Sequence, residues 1–144
     1  MLKQKKIKNP GREVWSRLYK WNSRKGELQY NIDHANYKAG DKAGHNTALG
    51  YGKVCFQNRK YMTRRVVWEM FYDLPVPKGY DTGSTSPYHH DDCPEKLFLW
   101  SKRDKKGYIA DENGQYREMG VEEWRKIIRE RTQARIILGL LVKE

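Results

Sequence analysis

The sequence predicts an α+β fold of small β-hairpins and helices that ends in a C-terminal helix. Three observations lead to this prediction. Residues 53–56 alternate apolar and polar side chains before a polar turn, and apolar side chains over residues 66–71 then recur at helical spacing. Asn113 and Gly114 stand between two short strand-like segments, which signals a tight hairpin. Residues 121–135 place apolar side chains on one face and basic ones on the other, which predicts a helix.

The chain is basic and about one domain long. Its 144 residues include 29 Lys and Arg against 18 Asp and Glu, a net charge of +11. This balance favours a polyanionic partner, above all DNA and also RNA. No apolar run approaches the ~20 residues of a spanning helix, so we expect no membrane partner. Since the sequence has no apolar export signal and no CxxC pair, we expect a cytoplasmic location.

The N-terminal region predicts a tail, a helix and a strand. Residues 1–11 are rich in lysine and form a basic flexible tail, because like charges at this density repel. Residues 12–144 then form a single domain. Within it, residues 12–21 carry apolar side chains at helical spacing, and residues 27–32 alternate like a strand.

Acid, imidazole and amide side chains follow that strand. Asp33 and His34 stand at its end, and His45 and Asn46 come after a loop that contains glycines. An Asp-His pair at a strand end, followed by a turn and an Asn, has the order of a ββα-metal nuclease site. It loosely resembles the endonuclease VII branch of that superfamily. The other interpretation is a polar loop rich in turn-forming residues.

A second polar cluster follows the central helix. Pro75 and Pro77 end that helix, and residues 81–87 are expected to form a flexible loop. The loop leads into a turn of metal-ligand and acid-base side chains: His89, His90, Asp91, Asp92 and Cys93. A solvated polar turn is the alternative interpretation.

Residues 50–106 resemble the HNH endonucleases of phages and mobile elements. The resemblance rests on pieces that occur in the family's order: Gly50-Tyr51-Gly52, the hairpin after it, the basic pair at 64–65 with its helix, the loop at 75–80 and residues 93–99. It implies an HNH-like ββα-metal finger in the middle of the fold and metal-dependent hydrolysis of DNA. If a phage encodes the chain, the expected location is the host cytoplasm.

The resemblance also implies roles for the polar cluster. His89 or His90 would be the general base that activates water. Asp91 and Asp92 would hold Mg²⁺ or Mn²⁺ through their oxygens, and the same cluster with Cys93 would instead suit Zn²⁺.

The chain departs from the family at several positions. Arg64 and Arg65 stand where the family has His-Arg, Cys93 where it has Asn, and Lys96 where it has the metal-binding His. A protonated lysine cannot bind a metal. The alternatives are therefore a catalytically degenerate HNH-like protein that binds nucleic acid or serves another protein, and a basic structural or host-interaction protein with an acidic partner.

Two further predictions concern surfaces. Six cations are expected to contact phosphates: Arg59, Lys60, Arg64, Arg65, Lys102 and Arg103. The apolar run at 136–142 predicts an end of the chain that packs on the core, with an oligomer contact as the alternative.

Overall fold

The computed structural model describes residues 10–48, 50–72, 76–88, 91–111 and 115–142, with side chains up to residue 137. Within these ranges the fold is α+β, as predicted. It has three α-helices, one short 3-10 helix and nine strands in three antiparallel sheets.

The described chain begins with a helix and a hairpin. Helix α1 spans Arg12–Leu18, strand β1 Tyr19–Asn22 and strand β2 Glu27–Tyr30. The helix predicted over residues 12–21 is therefore wrong beyond residue 18. Tyr19 lies opposite Tyr30 in the antiparallel pair, and their ring centroids are 5.4 Å apart. This cross-strand aromatic contact outweighs the helical spacing of the apolar residues.

The central hairpin and helix are confirmed. Strand β3 (His45–Asn46) pairs with β4 (Gly52–Phe56), which pairs with β5 (Arg59–Met62), and α2 (Thr63–Tyr72) follows directly. Gln57 and Asn58 both have positive φ, +50° and +64°, as a tight two-residue hairpin turn requires.

The third sheet has four strands in chain order: β6 (Tyr80–Ser84), β7 (Leu97–Ser101), β8 (Lys106–Ala110) and β9 (Tyr116–Glu118). A 3-10 helix, Pro94–Lys96, precedes β7. The flexible loop predicted over 81–87 is wrong for its first part, which is strand. The pairing of β8 with β9 confirms the second hairpin. The turn predicted at Asn113-Gly114 lies outside the described residues.

Helix α3 (Val121–Val142) covers the third sheet and is longer than predicted. Its Trp124 and Ile127 pack with Phe98 and Met119 in a small core. The main core lies around Trp15 and the buried side of α2. Ile136 and Ile137 are each 56% exposed, so the prediction that this end packs on the core is wrong for them. No helix in the described ranges is long and apolar enough to cross a membrane.

Candidate nucleic-acid interface

A cleft of about 680 Å³ is lined by residues of β5, α2, β6, β7 and α3. Its cations are Lys60, Arg64, Arg65 and Arg131, and among the described residues the one acid that lines it is Asp81. Its half-buried rings are those of Tyr51, Tyr80, Trp100 and Trp124. The cleft therefore combines positive charge with aromatic surface.

A second cavity of about 320 Å³ continues the cleft. The two share Tyr51, Arg64 and Arg131, and the second adds the exposed ring of Tyr88 and the cation Arg135. No acidic residue lines this second cavity among the residues that the structure describes. We call the two cavities together the basic groove.

Arg64 is fixed in the wall of the basic groove. Its Nε lies 3.0 Å from Oδ1 of Asp92, and the two side chains are only 8% and 7% exposed. The Arg64 guanidinium also lies 5.1 Å from the centroid of the Tyr51 ring. Because a buried charge needs a partner, this ion pair ties the first turn of α2 to the polar cluster that precedes the 3-10 helix.

Arg65 is oriented by Glu69. Its Nε lies 3.5 Å from Oε1 of Glu69, while the indole N–H of Trp15 donates to Oε2 at 2.8 Å. The Arg65 guanidinium lies 5.7 Å from the ring centroid of Tyr61. The buried carboxylate of Glu69 thus connects α1 to the cation on the groove wall.

Arg131 was not predicted to belong to the site. Its Nη2 donates to the carbonyl of Ser84 at 3.1 Å, which joins α3 to the end of β6. Arg131 follows Trp124 and Ile127 at helical spacing, so it lies on the face of α3 that turns towards the sheet. In the sequence, a cation on the otherwise apolar face of the C-terminal helix could have indicated this role.

The six predicted phosphate contacts divide into two groups. Lys60, Arg64 and Arg65 line the basic groove. The other three are exposed and do not line either cavity: Arg59, Lys102 and Arg103. Lys102 is nevertheless close to the groove, since its Nζ lies 3.5 Å from Oδ1 of Asp81.

The acids of the predicted metal cluster are paired with cations. His89 and His90 lie outside the described residues. Asp91 accepts a hydrogen bond from Nζ of Lys96 at 2.8 Å, and Asp92 is held by Arg64. Burial alone would raise the pKa of Asp91, but hydrogen bonds from Lys96 and from its neighbours hold that pKa well below its ordinary range.

The thiol of Cys93 is half-buried beside Asp91. Burial, together with the neighbouring carboxylate of Asp91, raises the pKa of its thiol to about 11. Without a metal ion beside it, this thiol is therefore a weak nucleophile near neutral pH. Among the described residues, no three His, Cys, Asp or Glu side chains form a group that suits a metal ion.

The second predicted constellation is split. Oδ1 of Asp33 accepts from the backbone N–H of Ala39 at 2.9 Å, and His34 forms a backbone bridge with Tyr37. These contacts organise an exposed loop, as the turn-forming interpretation expects.

The other half of that constellation lies beside the polar cluster. His45 and Asn46 line a third cavity, of about 180 Å³, together with Thr63 and Asp92. Gly52 is tightly packed against this cavity, since a Cβ on Gly52 would lie 2.7 Å from Oγ1 of Thr63. The fold thus places His45 and Asn46 of the second constellation beside Asp92 of the predicted metal cluster.

The whole chain was compared with protein-family models, curated proteins and solved structures, and none of them matched. The resemblance to HNH endonucleases therefore rests on the motifs of residues 50–106.

Proposed function

We propose that this protein binds nucleic acid, in the first place DNA, and that the basic groove is the binding surface. The observation that supports the proposal most is that cations and half-buried rings line two joined cavities in a chain of net charge +11. Cations neutralise phosphates, and aromatic faces stack on bases. An acidic protein partner is the competing occupant, because protein interfaces also use Arg and aromatic side chains.

The binding proposal is tested by fluorescence anisotropy with labelled DNA at about 50 and 200 mM salt. Lys60→Ala and Arg135→Ala each remove an exposed cation from the groove. We expect each change to weaken binding alike on all sequences and to reduce the salt slope by about one. Lys20→Ala is the control, because Lys20 is exposed on β1 and lines neither cavity.

Two results would contradict the proposal. One is the absence of DNA and RNA binding at low salt, which would favour an acidic protein partner. The other is equal DNA affinity of the Lys60→Ala, Arg135→Ala and Lys20→Ala variants. That result would place the nucleic acid elsewhere on the protein.

Cleavage of DNA by an HNH-like finger is the second candidate function. Two observations favour it: α2 follows the hairpin of β4 and β5 directly, in ββα order, and His45 and Asn46 line one cavity with Asp92. Against it, Asp91 and Asp92, the described acids of the predicted metal cluster, are already paired with Lys96 and Arg64.

Nicking of a supercoiled plasmid in the presence of Mg²⁺, Mn²⁺ or Zn²⁺ separates cleavage from binding. The cleavage hypothesis requires nicking that EDTA stops and that either His45→Ala or the double change His89→Ala, His90→Ala abolishes. A protein that binds the plasmid and leaves it intact with each metal would rule out cleavage while leaving the binding proposal standing.

A further inference from the structure

We infer that the basic groove takes a single nucleic-acid strand whose unpaired bases stack on the rings that line it. This inference rests on the proposed function, since it specifies the form of nucleic acid that the same surface binds. It follows from the depth of the rings, the size of the cavities and the order of the cations along them.

The rings of the larger cleft are recessed. Tyr80, Trp100 and Trp124 are half-buried, and the two indoles are packed edge to face with centroids 5.4 Å apart. In a duplex each base lies inside the stack and presents only its edges in the grooves. A recessed ring face is therefore reached by a base that has left the stack, or by one that was never paired.

The cavities match pieces of a strand in size. A volume of about 680 Å³ lies within the range of cavities that enclose whole small molecules, and about 320 Å³ lies at its lower end. At these volumes the larger cleft can accept about one or two nucleotides, and the second about one more base beside the exposed ring of Tyr88.

Cations line the basic groove along its whole length, from the larger cleft to the second cavity. Lys60 lines only the larger cleft, Arg131 lines both, and Arg135 lines only the second cavity. The acid in the lining, Asp81, is close to a cation of its own, Lys102. Such a series suits a phosphate backbone that passes along the groove while its bases turn inwards.

The test compares a labelled oligothymidylate of about 12 nucleotides with a duplex of the same length at low salt. We expect the single strand to bind at least about tenfold more tightly. Tyr88→Ala should lower the single-strand affinity by about 5- to 150-fold, the range for loss of one stacked base, and should change duplex affinity little. Tyr88→Phe keeps the ring and should keep the affinity.

Tyr37→Ala is the matched control. The Tyr37 ring is 49% exposed, close to the 56% of Tyr88, but it lines neither cavity. A second readout is tryptophan fluorescence, which the single strand should quench when a base stacks in the larger cleft. Trp100→Phe should reduce that quenching. Unchanged circular dichroism and melting temperature confirm that each variant is folded.

The outcomes distinguish the inference from the function on which it rests. Tighter binding of the single strand, lost in Tyr88→Ala and kept in Tyr37→Ala, supports the inference. Duplex binding as tight as single-strand binding, or equal effects of both tyrosine changes, overturns it and leaves the nucleic-acid proposal in place. If neither form binds at low salt, both fail together.

Discussion

Replacement of Arg64 by Met should destabilise the protein strongly, because it leaves the Asp92 carboxylate buried without the guanidinium 3.0 Å away. Methionine keeps most of the length of the side chain and removes the charge. The buried ion pair gives little net stability as a pair, but removal of one partner exposes the full cost of the other charge. The free energy lost in this variant therefore reports mainly the burial of the Asp92 charge, because most of the side-chain packing is kept.

The expected loss is about 3–5 kcal/mol of the free energy of unfolding, the usual cost of breaking a buried pair. For a chain of this length it corresponds to a fall of roughly 6–20 °C in the melting temperature. Urea unfolding followed by circular dichroism measures it. Addition of Asp92→Asn to the Arg64→Met variant should restore part of the loss, since the carboxylate charge is then gone.

Arg125→Met is the matched control. Arg125 pairs with Glu122 at 2.9 Å, almost the same distance, but these side chains are 67% and 80% exposed. Its loss should cost less than about 1 kcal/mol. If Arg64→Met and Arg125→Met destabilise the protein equally, the reasoning from burial is wrong.

Three more predictions concern stability and reactivity. Asp91 and Lys96 should stabilise the fold above the ordinary carboxyl pKa of 3.8 and lose this contribution as the pH falls below it, because the folded pKa of Asp91 is lowered. Unfolding midpoints from about pH 6 to pH 2 should therefore converge for wild type and Asp91→Asn. With its pKa near 11, Cys93 has about one thiol in a thousand ionised at pH 8, so iodoacetamide should label the exposed Cys55 first by mass spectrometry. Gly107→Ala should cost about 1–3 kcal/mol in urea unfolding, since its Cβ would lie 2.5 Å from an indole carbon of the α3 tryptophan.

Each of these predictions has a control or a result that would contradict it. A difference between wild type and Asp91→Asn that persists unchanged at the lowest pH would contradict the assigned pKa. Labelling of a Cys55→Ser variant as fast as wild type would show that Cys93 is reactive. For the glycine, Gly11→Ala is the comparison, because nothing lies within 4 Å of a Cβ there. Equal stability of the two alanine variants would mean that the indole moves aside without cost.

Local patterns were sufficient for elements whose signals lie close together in the chain. The hairpin of β4 and β5, the start of α2 and the pairing of β8 with β9 follow from alternation, turn residues and helical spacing. The strand β6 was missed because Gly83 and its hydroxyl neighbours suggest a loop. Gly83 is accommodated in the sheet by Phe98, whose ring covers the space above it.

The groove itself could not be predicted from local sequence. Arg64 meets Asp92 across 28 positions, and Arg131 meets Ser84 across 47. No periodicity encodes such pairings, because they depend on how α2, the third sheet and α3 pack. For the same reason, only three of the six cations predicted to contact phosphates line the groove, and Arg131 and Arg135, which also line it, were not among the six.

The position of α3 depends on two residues that have no side chain. A Cβ on Gly83 would lie 2.5 Å from the Phe98 ring, and one on Gly107 would lie equally close to Trp124. Any larger residue there would push an aromatic ring, and the helix with it, away from the sheet. The two glycines thus help to set the width of the basic groove between the third sheet and α3. Exposed side chains along the groove can therefore change, and alter the preferred ligand, while the width stays the same.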